Sequence, residues 1–477
     1  MQFEKCFTVL LLAVALTASP PRPLAEESPA KSSLKRQRLE NSVHLHTQLL
    51  CGAVFVSGRD ATLAIEQDLQ WAGYTFHDWR KTTWRVDRRL KRVSLRNTEG
   101  ASPVEASAIY HPGHGCTLLP AGATQVAFDY EAPVPPSSSA PLTEAKLSKQ
   151  QTRAVASWLD RVFQTAQSED SGDAQQNTRA IVVLQSGKLV AERYADGFDR
   201  HMPMLGWSMG KSVAAALLGV FAAEREGFHV DSRAMVTDWA ADTDPRAAIS
   251  SRHLLNMSSG LQFANPGKDD PLYYSDAHQH ESVYFKPQDT RKLVLSAALA
   301  HAPGSMFAYR NTNTLGIMAL IREGNAAQNQ DHLVWPYRAL FGPIGASSFV
   351  LEKDHRGNFV ISGLVYATAR DWARMGQFFL NAGKVNGSSL WPDNWQHIVT
   401  SPSAAAPFYG GQVWLNTQKA FKSVPPDAYY FLGWLDQIVL VVPSMNLVVV
   451  RLGFSDQGGF REYFDGLLES LLDTLQG

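Results

Sequence analysis

A serine and a lysine three residues apart stand at the start of an apolar helical segment. Ser208 and Lys211 follow Gly206, and the residues from Val213 to Ala223 are nearly all apolar. Residues three apart share one face of a helix, so we expect the two side chains to lie side by side. Burial and the positive helix end would lower the pKa of the lysine, which could then take the proton of the serine hydroxyl. This arrangement predicts a nucleophile with its base, as in acyl-transfer enzymes; an exposed helix start with an ordinary lysine is the alternative.

A tight turn and a buried helix would have to hold this pair. We expect Gly206 to permit the turn, and Ser208 suits an N-cap or first-turn position. The following segment is apolar on every side, which predicts that the helix lies inside the domain. Two other Ser-x-x-Lys sequences occur within residues 28–35, in a polar tail. The spacing alone is therefore not specific, and the turn and the buried helix distinguish the pair at 208 and 211.

A second candidate group lies further along the chain. Tyr309 and Asn311 form the only Tyr-x-Asn sequence in the chain. Beside a lysine ammonium, a tyrosine would ionise more easily and could act as a base. Asn311 offers both a donor and an acceptor, which could hold the lysine or a substrate amide. A buried structural tyrosine and a helix-capping asparagine are the alternative.

Together these residues resemble the serine beta-lactamase and penicillin-binding protein superfamily. The likeness is to its class C-like branch, which includes esterases, D-amino-acid peptidases and 6-aminohexanoate-dimer hydrolases. It extends to residues 252–261, which are similar to the signature of the inserted domain, to residues 303–316, and to residues 367–383. The resemblance covers residues 150–477 and implies a beta-lactamase-like hydrolase domain.

The resemblance also assigns roles to individual residues. It makes Ser208 the nucleophile, Lys211 its base or proton relay and Tyr309 their partner, and it places Asn311 at the substrate. The family's Lys-Thr-Gly or His-x-Gly element corresponds to residues 431–437, which contain neither lysine nor histidine. A backbone N–H of that strand, that of Trp434, would complete an oxyanion hole with the N–H of the serine. Since class C-type beta-lactamases hold a substrate carboxylate with that missing cation, the sequence argues against antibiotic hydrolysis.

The predicted fold class is α/β (α+β), with an antiparallel sheet flanked by helices. A hairpin is expected over residues 178–194, and three strands over residues 431–452. Residues of about 228–330 are helical and rich in loops, which predicts an all-α insertion. An amphipathic helix over residues 460–475 ends the chain. The sheet is thus built from both ends of a hydrolase domain that spans residues 148–477.

A small N-terminal α+β unit is predicted over residues 48–130, with a Pro- and Ser-rich linker at 131–147. Within that unit we expect a strand over 50–57, a short helix over 60–71, and further strands over 91–96 and 106–110.

The N-terminus indicates export. Residues 1–20 carry a short apolar run ending in small residues, which is typical of a secretory signal peptide; an uncleaved anchor is the alternative. Residues 21–47, rich in Pro, Ser, Lys and Glu, predict a disordered lead-in. Cys6 would leave with the signal, so a disulfide between Cys51 and Cys116 is expected, with two buried thiols as the alternative. The protein is therefore predicted to be periplasmic, in a bacterial cell envelope.

Charge restricts the partners. The formal net charge of −1 argues against a nucleic-acid role. Eight lysines and arginines within residues 80–96 could contact an anionic envelope polymer weakly, although a solvated face is the favoured interpretation.

Residues 278–281 read His-Gln-His-Glu and could ligate a metal, but a polar surface loop is favoured over that interpretation. No metal or cofactor is implied.

The sequence thus predicts an exported serine hydrolase that forms an acyl-enzyme on Ser208 and cleaves a small ester or amide. One alternative is a penicillin-recognising or envelope-associated binding protein with little or no turnover. The other is a true beta-lactamase or D-amino-acid peptidase.

Overall fold

The fold is taken from a computed structural model of the chain. It describes residues 29–70, 76–131, 141–164, 176–233, 236–267, 270–273, 275–455 and 460–476. The predicted signal peptide and residues 132–140 of the predicted linker lie outside the described residues.

The described α-helices are α1 Pro29–Cys51, α2 Ala61–Ala64, α3 Lys149–Phe163, α4 Gly210–Ala223, α5 Ser251–Leu255, α6 Gln279–Phe285, α7 Thr290–Leu295, α8 Asn311–Ala326, α9 Ala369–Leu380, α10 Trp395–Thr400 and α11 Phe460–Gln476. The described strands are β1 Thr82–Asp87, β2 Arg92–Asn97, β3 Val104–His111, β4 Gly115–Leu118, β5 Gln176–Gln185, β6 Lys188–Tyr194, β7 Met204–Leu205, β8 Val350–Leu351, β9 Val365–Ala367, β10 Lys384–Val385, β11 Ser388–Ser389, β12 Trp414–Leu415, β13 Tyr429–Gly433, β14 Gln437–Val442 and β15 Leu447–Ser455.

A six-stranded antiparallel sheet forms the centre of the hydrolase domain. Its strand order is β12-β13-β14-β15-β5-β6, so strands from both ends of the domain meet at the β15–β5 pair. Side chains alternate between its two faces. Ile181 and Val183 face helices α3 and α11, whereas Val182 and Leu184 belong to the core shared with α4 and α9. The structure confirms the predicted antiparallel sheet between helical layers.

The hairpin and the late strands lie where the sequence predicts them. Ser186 and Gly187 form the β5–β6 turn, both with positive φ. The segment predicted as an all-α insertion carries α5 to α8, besides an isolated bridge between Leu261 and Leu299.

The lead-in prediction is wrong over residues 29–47, which belong to helix α1. That helix packs on β2, β3 and α6 and buries Val43 and Leu45 together with polar residues such as Asn41 and His46. Its polar composition is typical of disorder, yet many of these polar side chains lie inside the fold. Composition alone therefore underestimated how much of this segment is ordered.

The strand predicted over residues 50–57 is also wrong. Helix α1 runs into a π-helical turn, Gly52–Val56, although its Val and Phe residues favour a strand. A methyl group at Gly52 would lie 2.0 Å from the hydroxyl oxygen of Tyr366, so this backbone is fixed by close packing. The short helix expected next is present as α2 and the π-helical turn Ile65–Leu69, and the two further strands are β2 and β3.

The predicted disulfide between Cys51 and Cys116 is present. Beside it, the buried carboxylate of Glu352 accepts hydrogen bonds from the Cys116 N–H at 2.8 Å and from the Gln48 amide at 2.7 Å. Residues of α1, β2 to β4 and the hydrolase domain share one hydrophobic core. The N-terminal unit is thus packed into the hydrolase domain.

Part of the basic stretch is neutralised by neighbouring acids. Arg80 pairs with Asp78, Arg85 with Asp87 and Arg96 with Glu105. These exposed pairs favour the interpretation of residues 80–96 as a solvated face.

Among the described helices, none has the length and apolar character that crossing a lipid bilayer would require.

Buried histidines in the N-terminal unit predict a loss of stability in acid. His46 and His77 lie with ring centroids 4.9 Å apart. Burial lowers the pKa of His77 to about 4, and burial together with His77 lowers that of His46 well below its usual value. Both side chains are protonated near pH 6.5 only when the chain unfolds, so stability is complete above pH 6.5 and falls below it. For His77, the free energy of unfolding should fall by about 1.4 kcal/mol per pH unit between pH 6.5 and 4.

Urea unfolding of His77→Gln at several pH values tests this expectation. In His77→Gln, the free energy of unfolding should depend less steeply on pH, by the contribution of one histidine. His201→Gln, at an exposed position, should keep the wild-type pH dependence. Equal slopes in all three proteins would contradict the account.

Candidate active site

The turn before Ser208 is held by close packing. Strand β7 leads into a short 3-10 turn, Trp207–Met209, from which α4 continues. The left-handed residue of this turn is Trp207, with φ +48°, whereas Gly206 has φ −91°. The expectation that Gly206 serves backbone freedom is therefore wrong: a methyl group there would lie 2.2 Å from the Trp372 ring. A bulky residue with positive φ is strained, and the strain at Trp207 lies directly before the candidate nucleophile.

Ser208 does not cap helix α4 with its side chain. Neither Gly206 nor Met209, the residues at the N-cap positions of the two helical segments, makes a side-chain capping bond either. Of the two positions expected for Ser208, the first-turn position is the one observed: Ser208 lies in the 3-10 turn that leads into α4, and its hydroxyl contacts Lys211.

Lys211 lies where the three-residue spacing predicts it. Its side chain is buried, and its Nζ is 3.0 Å from Ser208 Oγ and 2.7 Å from the carbonyl oxygen of Ser362. A methyl group at Gly210 would lie 2.1 Å from the Ile361 carbonyl oxygen, so α4 can approach residues 361–362 closely only with glycine there. Burial lowers the pKa of Lys211 to about 7, against the opposing effect of Glu281. A large fraction of the amine is therefore neutral at pH 7 and able to accept a proton.

Tyr309 completes the group at the serine. Its ring centroid is 4.9 Å from the Lys211 ammonium nitrogen, and its hydroxyl forms a hydrogen bond with Ser208. Aromatic rings of Tyr409 and Trp414 pack around it at 6.1 and 5.4 Å. Burial raises the pKa of Tyr309, and this effect outweighs the hydrogen bond. The expectation that the lysine eases ionisation of Tyr309 is wrong, and its phenol is a proton donor at neutral pH.

Asn311 begins helix α8 and is fully buried. Its side-chain amide donates to the His280 carbonyl oxygen at 2.5 Å, and its backbone N–H donates to the His280 ring at 3.1 Å. It also forms a hydrogen bond with Tyr284. These contacts tie the start of α8 to His280. Contact of Asn311 with the substrate stays a prediction.

The edge of β13 adjoins the serine turn, as the resemblance implies. A methyl group at Gly433 would lie 2.1 Å from the Gly206 carbonyl oxygen, and the rings of Trp434 and Trp207 meet edge to face at 5.3 Å. The end of strand β13 therefore lies directly against the turn that carries Ser208. The oxyanion role of the Trp434 N–H stays a prediction.

Two residues of the site were missed by sequence reasoning. Glu281 on α6 acts electrostatically on Lys211, and burial raises the pKa of its carboxyl to about 7. Ser362 accepts from Lys211 through its carbonyl oxygen, and no sequence pattern marks a backbone acceptor. Glu281 was visible within His-Gln-His-Glu, but the interpretation of that sequence as a surface loop is wrong, because His278 and His280 are buried.

Within the described part of the chain, no three His, Cys, Asp or Glu side chains are grouped as metal ligands. The chemistry that the site's geometry supports is that of a hydroxyl between a neutral amine and a phenol. One group takes the hydroxyl proton and the other can supply a proton to a leaving group.

Sequence comparisons relate the chain to known proteins. A sequence model of the Beta-lactamase family matches residues 159–465. A 6-aminohexanoate-dimer hydrolase from Paenarthrobacter ureafaciens is 25% identical over 268 residues, which are 54% of this chain and 64% of the relative. The chain therefore spans under two thirds of that curated relative's length.

Solved structures share the fold. A candidate 6-aminohexanoate-dimer hydrolase from Bacillus anthracis has a TM-score of 0.54 at 20% identity, covering 72% of this chain and 89% of its own. A family VIII carboxylesterase has a TM-score of 0.52 at 14% identity, covering 69% of this chain and 99% of its own.

Proposed function

Because the chain belongs to the beta-lactamase family, we propose that it is a serine hydrolase that cleaves a small ester or amide through an acyl-enzyme on Ser208. The observation that carries this proposal is the 3.0 Å contact between Lys211 Nζ and Ser208 Oγ, combined with a lysine pKa of about 7. Ester and amide substrates are also in keeping with the names of the carboxylesterase and dimer hydrolase to which the chain is similar.

In the first half of the reaction, neutral Lys211 takes the proton of Ser208 while Oγ attacks the substrate carbonyl carbon. Negative charge then develops on the carbonyl oxygen, which the N–H groups of Ser208 and Trp434 stabilise. As the carbon–oxygen or carbon–nitrogen bond breaks, Tyr309 gives its proton to the leaving group and regains one from the Lys211 ammonium.

In the second half, water attacks the acyl-enzyme. Lys211, neutral again, accepts a proton from that water through Tyr309, and the Lys211 ammonium then gives this proton to the released Ser208 oxygen. The acid leaves, and the three side chains return to their starting protonation states.

A chromogenic ester such as p-nitrophenyl butyrate tests the proposal. A burst followed by steady release supports a turning-over hydrolase. A single equivalent without further release would instead identify the penicillin-recognising or envelope-associated binding protein. No release at all would contradict the proposed nucleophile.

We expect the protein to prefer esters over beta-lactams. The turn after Gly433 offers Trp434, Leu435 and Asp436 where class C-type enzymes offer a cation. Without that charged hydrogen bond, kcat/KM for an ester should exceed that for a penicillin or cephalosporin by at least about tenfold.

Steady-state kinetics with both substrate classes measures the ratio. Efficient cephalosporin hydrolysis with weak ester cleavage would contradict the expectation. Arg310 is the nearby cation to examine then, although it is already bonded to the carbonyl oxygens of Phe263 and Tyr309; Arg310→Gln would show whether it supplies the charge.

We also propose that the protein is exported to the periplasm. The apolar N-terminal run and the Cys51–Cys116 disulfide support this proposal, because disulfides persist in oxidising compartments. Recovery of the disulfide-bonded, signal-free chain from a periplasmic extract would support it, and retention of the whole chain with free thiols in the cytoplasm would contradict it.

A further inference from the structure

A cavity of about 70 Å³ lies between the N-terminal unit and the turn that carries Ser208. Most of its wall is apolar and includes Leu69, Met204, Trp207 and Phe454. Trp207 lines this cavity and directly precedes Ser208, so the cavity adjoins the backbone of the proposed nucleophile.

The polar part of the wall carries an excess of positive charge. Arg59 and Arg179 both form ion pairs with the one carboxylate of Asp68, and both arginine side chains are only 8% exposed. Arg59 also donates to the Gln67 side chain at 2.6 Å, and Arg179 to the Gln67 carbonyl oxygen at 3.3 Å. Two guanidinium groups and one carboxylate leave one net positive charge in an apolar surrounding, where an uncompensated charge is costly.

Arg179 retains an unused donor. It is 7% exposed, and among the described residues its Nε has no hydrogen-bond partner. The rings of Phe198 and Phe454 lie 4.9 and 5.0 Å from its guanidinium carbon and hold the group in place. Burial and the neighbouring charge of Arg59 lower the pKa of Arg179. A buried N–H without an acceptor among the described residues, on a fixed and under-neutralised cation, favours an anionic oxygen as its partner.

We propose that this cavity binds a small carboxylate with an apolar tail. The carboxylate would accept from Arg179, and the tail would pack against Met204, Leu205 and Trp207. A short aliphatic acid satisfies both the charge and the apolar wall, and hexanoate serves as the probe. The proposal concerns binding alone and does not depend on catalysis at Ser208.

Calorimetric titration of hexanoate into the full-length protein tests the site, with hexanamide and hexylamine as the neutral and cationic counterparts. Hexanoate should bind at least about tenfold tighter than hexanamide, because a charged hydrogen bond is lost with the amide. Hexylamine should not bind. Ser208→Ala should bind hexanoate as the wild type does, which separates this site from the proposed function.

Variants locate the site. Arg179→Gln should weaken hexanoate binding by about tenfold to a hundredfold, and Arg85→Gln, which removes an exposed arginine of β1, should leave it unchanged. If Arg179→Gln does not fold, the comparison of hexanoate with hexanamide on the wild type decides. Equal affinity for acid and amide, or no binding at about 10 mM hexanoate, would overturn the proposal.

Inhibition kinetics distinguish the two roles that a bound acid could have. Competitive inhibition of ester cleavage by hexanoate would mark the cavity as the place of the acyl part of the substrate. Binding that leaves KM unchanged would mark it as a separate effector site. Either effect should be lost in Arg179→Gln, which assigns it to the carboxylate site rather than to product binding at Ser208.

Discussion

Ser208→Ala is expected to reduce kcat/KM for ester hydrolysis by at least about 10⁴-fold while leaving the fold intact. Ser208, Lys211 and Tyr309 act as one unit in the proposed reaction, so removing the nucleophile removes nearly all of the covalent pathway. The cost in stability should be small, because the side chain caps no helix and is only partly buried. The melting temperature should therefore stay close to that of the wild type.

Ser212→Ala provides the matched control. Ser212 lies in α4, four residues after Ser208, and its hydroxyl donates to the Gln412 carbonyl oxygen at 2.7 Å. This variant should lose about 1–2 kcal/mol of stability, since a buried hydrogen bond is removed, but should keep its activity. If Ser208→Ala stayed active, or if both variants lost activity in step with their melting temperatures, Ser208 would not be the nucleophile.

Lys211→Met is expected to reduce kcat by about 10³-fold or more and to abolish the acidic limb of the pH–rate profile. The wild-type rate should rise through pH 7, because Lys211 acts as a base only after it has lost its proton. Methionine keeps the length and fills the buried space, so the loss is chemical rather than structural. Kinetics between pH 5 and 9 measures both effects.

Glu281→Gln tests how the acidic neighbour affects the pKa of Lys211. The Glu281 carboxylate raises the pKa of Lys211 against the effect of burial, so its removal should move the midpoint of the acidic limb to lower pH. Disappearance of the limb in Glu281→Gln would assign the titration to the glutamate and contradict the role given to Lys211.

Local sequence patterns predicted those parts of the fold that local physics decides. The β5–β6 hairpin follows from two apolar runs on either side of Ser186 and Gly187, and strand β14 lies within the region predicted to hold three strands. The closeness of Ser208 and Lys211 follows from one turn of helix and was predicted correctly. The disulfide followed from an even number of cysteines in a chain with an export signal.

Long-range packing decided what the sequence could not predict. Helix α1 is ordered because the sheet of the N-terminal unit and α6 cover it, and composition carries no sign of that cover. Gly206 is needed because Trp372 lies against it, although the two are far apart in the chain. Likewise, the pKa of Tyr309 is set by the burial of its ring and not by the neighbouring lysine.

Peptide mapping of the protein after reaction with a fluorophosphonate probe tests the central claim most directly. The account predicts a single adduct on the hydroxyl of Ser208, present also in Ser212→Ala and absent from Ser208→Ala. An adduct on any other residue, or equal labelling of Ser208→Ala, would contradict it.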